Sequence, residues 1–362
     1  MKKLSCREQF LAMAFGQLAY RESLRDICTC LHAQRSKRYH LGFRTTIARS
    51  TLAEANEKRD WRIYRDCVYL LIAQARTLYR DDTQFALDIE GSCYAIDATS
   101  IEMCLAVFPW APYMHTAMHT KGAVKLHLLM DMRGSIPTFF HITDGTVGDV
   151  QFLDHLLFEA GAYYVMDRGY SDYGRMHTIH RAGAFFVTRA KSDMSYRRTS
   201  SRPVDRSTGL RSDQTMHLAG TLSSGRYPDA LRRITYYDAT TNHRYVFLTN
   251  NFTLDAYTIT QLYKHRWQIE LFFKWIKQHL KIKTFWGHSK NAVQTQICIA
   301  LCTYLLVAIL KKRLGIERNL YEMLQIVSVS LFDKSGLVEL FSVRSLPEAE
   351  VGTESMASLF GF

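Results

Sequence analysis

Between residues 93 and 188 the chain changes element type in an order that few folds accommodate. Residues 93–99 (CYAIDAT) form a short apolar run of strand character. Residues 125–132 and 136–142 are two more, joined by Arg133-Gly134-Ser135, and read as a hairpin. Residues 147–158 carry helical spacing. Residues 163–166 form a fourth strand that ends in Asp167-Arg168-Gly169-Tyr170. A helix over residues 172–182 and a strand over residues 184–188 complete the series. Strand, hairpin, helix, strand, helix, strand predicts an α/β fold built on a mixed sheet.

The flanks are of different composition. Residues 7–18 and 24–32 have the apolar spacing of helices. Ser50 suits the N-cap of the helical run TLAEANEKRDWRIY, with Glu54 four places on. Arg44, Arg49, Lys58, Arg59, Arg62 and Arg65 make this region basic. Short helices with a basic third member fit a helix-turn-helix-like DNA reader, and equally an ordinary helical bundle. Residues 191–253 are rich in Ser, Thr and Arg, with short strand candidates at 234–237 and 245–248. Residues 181–233 hold eleven Lys/Arg against four Asp/Glu. This predicts a β insertion with a basic face, or a solvated basic loop. The expected divisions are a helical N-terminal domain (1–88), a core in two parts (89–190 and 254–315), the β insertion (191–253) and a helical tail (316–362).

The net charge of +12 and a pI near 9.3 favour a polyanionic partner, nucleic acid first. The eight cysteines show no CxxC pair and no zinc-ligand spacing, and most read as buried thiols. With no signal peptide at Met1, a reducing cytoplasm is the expected compartment. The apolar run at residues 297–310 is short for a membrane span and reads as a buried helix.

Two acids stand out in the sheet. Asp97 lies inside an apolar strand, where a lone carboxylate is costly unless paired or metal-bound. Asp167 ends the fourth strand, the place where α/β sheets gather ligands. A third acid comes from the run YKHRWQIELFFKWIK. There Tyr263, Arg266, Glu270 and Lys277 stand at offsets of 3, 7 and 14 from the first. At about 100° per residue they fall within one stripe of roughly 60° on a helix. Leu262, Ile269, Phe272, Phe273, Ile276 and Leu280 fill the adjoining apolar stripe. If the first and fourth strands are neighbours, Asp97 and Asp167 meet, and a helix packed beside them delivers Glu270. Three clustered carboxylates need divalent cations, and hard oxygen ligands select Mg²⁺ or Mn²⁺. Each element also has a plainer reading. Asp97 could be a satisfied buried acid, Asp167 a cap for the following turn, and Arg266–Glu270 a surface i,i+4 pair.

Read as Y-x2-R-x3-E-x6-K, the run through Tyr263, Arg266, Glu270 and Lys277 resembles the signature of insertion-sequence family 4 DDE transposases. YAIDATS around Asp97 and YYVMDRGY around Asp167 resemble that family's first and second Asp motifs. FGQLAYRESLRDI, YHLGF and STLAEANEKRDWRIY resemble its N-terminal domain, so the likeness spans nearly the whole chain. The resemblance implies an RNase H-like core with a β insertion and an N-terminal helical DNA-binding domain. It implies two Mg²⁺ ions on Asp97, Asp167 and Glu270, with Mn²⁺ able to substitute. Tyr263, Arg266, Lys277 and Arg168 would contact DNA near the cleaved end. The implied substrates are terminal inverted repeats and target DNA, handled by a homodimer in the bacterial cytoplasm, on the nucleoid, with no membrane involved. The implied reaction is 3′-end cleavage followed by strand transfer.

Two departures from the family pattern bear on this. Related sequences often carry more residues before the point where Met1 falls, so a truncated or late start is expected. Some members use a tryptophan of the insertion to stack a flipped base. Here Trp61, Trp110, Trp267, Trp275 and Trp286 all lie outside residues 191–253. Tyr236, Tyr237, Tyr245 or Phe247 would have to stack instead, or serve as strand core. A nuclease without strand transfer and a non-catalytic DNA-binding derivative are the alternative functions.

Overall fold

The structure is a computed structural model that describes residues 4–80, 87, 89–115, 120–333 and 335–341. Much of the 81–88 boundary and the last part of the expected tail, 342–362, lie outside the described residues. In chain order, helices α1 (Cys6–Leu18), α2 (Leu24–Ala33), α3 (Arg49–Lys58) and α4 (Arg62–Tyr79) come first. Strands β1 (Cys93–Met103), β2 (Pro112–His115), β3 (Thr120–Asp131), β4 (Ile136–Asp144) and β5 (Tyr163–Met166) follow, then α5 (Tyr173–Arg181) and β6 (Phe185–Arg189). Next come β7 (Tyr196–Arg202), β8 (Leu210–Leu218), α6 (Thr221–Arg226), β9 (Leu231–Asp238) and β10 (His243–Thr249). The chain continues through α7 (Ala256–His265), α8 (Trp267–His279), α9 (Lys290–Arg313), α10 (Leu320–Ser330) and α11 (Leu337–Phe341).

One ten-stranded sheet runs β2-β3-β1-β5-β6-β10-β9-β8-β7, with β4 paired on β3. β1 is antiparallel to β3, and β3 to β4, while β5 and β6 run parallel to β1. The expected neighbours, the strands of Asp97 and Asp167, are hydrogen-bonded partners. The β3–β4 hairpin turns where the sequence placed it. Gly134 (φ 73°) and Ser135 (φ 56°) both take left-handed backbone, as a tight hairpin turn demands. A Cβ on Gly134 would come within 2.3 Å of the Tyr79 ring, so α4 closes against this turn.

The inserted strands are not a detached module. β10 pairs antiparallel with β6, so β7–β10 extend the same sheet across one continuous hydrogen-bonded surface. β7 is exposed along its whole length.

α9 is the axis of the helical layer. It is long and apolar enough to cross a membrane, yet 89% of its most apolar window is buried inside the protein. α1, α3, α4 and α10 pack against it, and a single apolar cluster runs from Leu4 to Phe341.

Several local expectations change. Ser50 lies inside α3, whose N-cap is Ala48 without a side-chain bond. The expected long helix breaks at Arg59, because Arg59 reaches back to α1. Its guanidinium donates to Gln9 Oε1 (2.9 Å) and to the Leu4 carbonyl. Asp60 then accepts the Arg62 amide (2.9 Å) at the start of α4. The helix expected at 147–158 is a 3-10 segment, Asp149–His155, anchored by Lys125 Nζ on the Val147 carbonyl (2.8 Å) and Asp149 (3.0 Å). Of the cysteines, Cys28, Cys93, Cys298 and Cys302 are buried, while Cys6 and Cys104 are exposed.

Candidate active site

Asp97 owes its place to the β1–β5 ladder. The last rung pairs Ile96 with Met166, so the residues that follow, Asp97 and Asp167, emerge at neighbouring positions on parallel strands. Asp97 Oδ1 accepts the Ala98 amide (2.8 Å). Asp167 does cap the next turn, its Oδ1 accepting the Gly169 amide at 2.5 Å. A side chain at 169 would bring a Cβ within 2.9 Å of that oxygen, which is why glycine follows there. Thr188 Oγ1 on β6 holds the Asp167 carbonyl (3.0 Å).

The third acid arrives differently from the single helix expected. The run is two helices, with Arg266 the junction between α7 and α8. The backbone passes this point on i→i−3 bonds, from the Arg266 amide to the Tyr263 carbonyl (3.1 Å) and from the Ile269 amide to the Arg266 carbonyl (3.1 Å). The interruption falls at the residue whose side chain is drawn down to the sheet. Arg266 Nη1 lies 3.5 Å from Asp97 Oδ2, and Nη2 lies 2.5 Å from Glu270 Oε1. Its side chain is only 11% exposed, so the pair is no surface ornament. The predicted apolar stripe, from Leu262 to Leu280, is fully in the core.

The electrostatics are those of a crowded acid site. Burial pushes the Asp97 carboxyl up to about 6; Asp167 and Glu270 nearby add to the rise, while the Ala98 amide and Arg266 oppose it. Tyr263 is buried beneath the guanidinium, whose carbon lies 5.6 Å from the ring centre. Lys277 sits elsewhere: its Nζ donates to the Ser100 carbonyl (2.8 Å), tying α8 to β1 three residues beyond Asp97. Arg168 is exposed. Among the described residues, no three His, Cys, Asp or Glu side chains stand close enough to hold a metal ion as they are.

A cavity of about 450 Å³ opens beside Glu270 and Arg266. Its walls include residues the sequence did not single out for function: Arg189, Asp238, Lys264 and Trp267. Trp267 is 57% exposed. Its place next to Arg266 in the helix run was the available signal. Of the four aromatics considered for stacking, Tyr236 and Phe247 are buried strand residues, and Tyr237 bonds Asn242 Oδ1 (2.8 Å). Tyr245 is half-buried and borders the cavity.

An antiparallel hairpin beside β1, followed by two strands parallel to it, is the sheet of RNase H-like phosphoryl-transfer enzymes. Comparison with known proteins specifies the class. A family model described as a transposase DDE domain matches residues 89–306, and a domain of unknown function (DUF4372) matches residues 1–44. The chain belongs to the DDE transposases, enzymes that cleave DNA and transfer its strands. It is 33% identical over 293 residues to a putative transposase, y4zB, of Sinorhizobium fredii, covering 80% of this chain and 79% of that one. It is 28% identical over 261 residues to a probable transposase for insertion sequence element IS5377 of Geobacillus stearothermophilus, covering 71% and 66%. A putative transposase for insertion sequence element IS4SA of Synechocystis is 23% identical over 276 residues, covering 73% and 72%. These relatives place the chain with insertion-sequence family 4. Its function is that of an insertion-sequence transposase, and the family's chemistry depends on divalent metal.

Proposed function

We propose that Asp97, Asp167 and Glu270 hold two divalent ions, Mg²⁺ with Mn²⁺ able to substitute, and that this centre cuts the 3′ ends of the element and joins them to target DNA. The observation that carries the reading is the buried Arg266 guanidinium lying between Asp97 and Glu270. A cation already occupies the space between two acids. Asp97, with its carboxyl raised to about 6, needs positive charge there to ionise fully at neutral pH. The all-oxygen donor set fits a hard divalent ion. When bound, two such ions stabilise the attacking and leaving oxygens of each in-line displacement.

The protein's own groups do the rest. Arg266 exchanges its carboxylate partners for a phosphate at the cut, where its planar fork gives two parallel bonds. Tyr263 keeps that fork flat from below. Arg168, directly after Asp167, meets the backbone beside the cut. Lys277 seats α8 on β1 through Ser100 and so fixes where Glu270 can reach. The helices of residues 1–88 grip the terminal inverted repeats, and residues 191–253 wall the site. Residues 89–190 and 254–315 supply the chemistry, and α10 and α11 follow them. A homodimer pairs two ends on nucleoid DNA in the cytoplasm.

Purified protein with Mg²⁺ and DNA carrying the element's own ends should nick at the boundary. Asp97→Ala and Glu270→Ala should abolish nicking, and calorimetric titration with Mn²⁺ should show reduced binding in both. Undiminished nicking by either variant would sink the assignment.

A further inference from the structure

α8 carries Glu270 near its start, and its far end is held by residues from the other end of the chain. The helix stops at Leu280, whose backbone is extended (φ −125°, ψ 153°). The amide and carbonyl of Lys281 therefore need partners from elsewhere. Gln17 of α1, fully buried, meets both. Its Oε1 accepts the Lys281 amide (2.7 Å) and its Nε2 donates to the Lys281 carbonyl (3.3 Å). Gln296 of α9 donates to the same carbonyl (2.6 Å) and to that of Thr284 (2.9 Å).

The end of α1 is shaped for this contact. Gly16 lies inside the helix, where a Cβ would come within 2.6 Å of the Trp286 ring and 2.5 Å of Ile27. The indole of Trp286, from the connector between α8 and α9, thus sits directly on α1 backbone. Beyond Leu18 the Arg21 amide bonds the Gly16 carbonyl (3.0 Å), and Tyr20 takes left-handed backbone (φ 54°), which an aromatic residue rarely adopts. That turn presents the Arg21 carbonyl to Trp286 Nε1 (3.2 Å). Glu22 then pairs with the Lys281 ammonium. Strained backbone and close approach at one connector mark a contact whose geometry matters.

α8 rests on β1, where Lys277 Nζ bonds the Ser100 carbonyl (2.8 Å). At about 1.5 Å per residue, Glu270 lies about 10 Å to one side of Lys277 and Lys281 about 6 Å to the other, so a shift at Lys281 is enlarged at Glu270. We propose that Gln17 is a positioning residue for DNA cleavage: through Lys281, α1 sets the tilt of α8 on β1 and with it the place of Glu270 among the acids. Whatever displaces α1 reaches Glu270 by the same contact. The proposal rests on the reading of Glu270 as a metal ligand.

Gln17→Leu removes both bonds at similar side-chain length. Gln9→Leu is the comparison: Gln9 is as buried on the same helix, but it bonds Asn56 (2.8 Å) and Arg59 (2.9 Å), away from the connector. Under conditions where urea unfolding shows both variants folded, Gln17→Leu should nick end DNA with kcat about tenfold lower and KM unchanged within about twofold, while Gln9→Leu keeps the wild-type kcat. Hydrogen exchange without DNA or metal should quicken over residues 276–284 in Gln17→Leu alone. Gln17→Glu, which keeps an acceptor for the Lys281 amide, should restore most of both readouts. Trp286→Phe, a milder change that loses only the bond to the Arg21 carbonyl, should lower kcat in the same direction by about threefold. Wild-type kcat in Gln17→Leu and Trp286→Phe, or an equal fall in Gln9→Leu, would overturn the proposal. Unchanged exchange over 276–284 in Gln17→Leu would overturn it whether or not DNA is cut. That readout is independent of the acids, so undiminished nicking by Glu270→Ala would sink the metal-ligand reading without deciding whether Gln17 holds α8.

Discussion

The ion pair between Arg232 on β9 and Asp213 on β8 decides whether the inserted strands hold their place. It is bidentate, with Nε to Oδ1 at 2.9 Å and Nη2 to Oδ2 at 2.8 Å. The two side chains are 3% and 5% exposed. The remaining guanidinium nitrogen, Nη1, donates to the Asn251 carbonyl (3.2 Å) and the Leu254 carbonyl (2.6 Å). Those carbonyls belong to the turn that launches α7, so the pair joins β8 and β9 to the helices carrying Tyr263, Arg266 and Glu270. Asp213→Ala leaves a buried guanidinium without its counter-charge, which costs about 3–5 kcal/mol. Arg232→Ala strands the carboxylate and two carbonyls, at a comparable or larger cost. Against a total stability of roughly 5–15 kcal/mol, either change is severe. The double variant Asp213→Leu/Arg232→Met removes both charges and forfeits only the two carbonyl bonds, about 1–3 kcal/mol each. Denaturant unfolding of all three, read at constant m, should therefore show the double variant more stable than the sum of the singles by about 2 kcal/mol or more. Additive costs, or an Asp213→Ala penalty below about 1 kcal/mol, would refute the reasoning.

His127, on β3, is 1% exposed, stacks on Phe152 at 5.4 Å and contacts Thr143 Oγ1 through Nε2 (3.0 Å). Burial pushes its imidazole down to about 4. The unfolded chain, with an ordinary histidine near 6.5, takes the proton first as pH falls. Stability is then fully present above about 6.5 and is lost down to about 4, by roughly 3 kcal/mol. In His127→Gln the urea midpoint should fall less over that window, and an identical fall in both proteins would disprove the attribution. Lys277→Met should lower kcat for end cleavage by about ten- to a hundredfold through misplacement of α8, with duplex affinity unchanged. A weakened affinity with a shallower salt slope would instead assign the lysine to phosphate. Gly134→Ala should destabilise by more than about 1 kcal/mol, because it adds a side chain to left-handed backbone that already touches Tyr79. A thermal midpoint equal to that of the wild type would show that the turn tolerates a Cβ.

The parts of the fold that were legible from sequence share a physical basis. β5 is a fully buried strand with abrupt ends, and its bounds were read without error as residues 163–166. The hairpin turn needed left-handed residues, and glycine marked it. The apolar stripe from Leu262 to Leu280 survived the break at Arg266, because burial depends on helical phase and the interruption is a single residue. What sequence could not carry was tertiary. Nothing local in YRRTSSR announces β7, whose side chains are all exposed and whose strand exists only by pairing with β8. The basic third helix looked like a DNA surface, yet Lys58 pairs with Glu54 (2.7 Å), Arg65 with Asp66 (2.9 Å) and Arg62 with Asp60. Arg59 is spent on α1. Charge counted along the chain overstated the charge presented there. Arg168, Arg189, Lys191, Arg233 and Arg244 line one cleft on the inserted strands, and their separation along the chain hid that grouping.

That strand order also bears on how the site keeps its geometry. An insertion on flexible linkers could drift relative to the carboxylates. Here β10 is hydrogen-bonded to β6, β6 to β5, and β5 to β1, so Asp97, Arg189 and Tyr245 stand on strands of one sheet and Asp167 directly follows another. Moving the inserted strands away from Asp167 would break ladder bonds whose buried backbone groups have no other partners nearby. The freedom left to the site is therefore on the helical side. There Arg266 occupies a one-residue junction between α7 and α8, and its side chain alone spans from Glu270 to Asp97. Under the proposed reading, a phosphate that draws Arg266 off the two carboxylates needs only that side chain to move, and the ladders that position Asp97 and Asp167 stay intact.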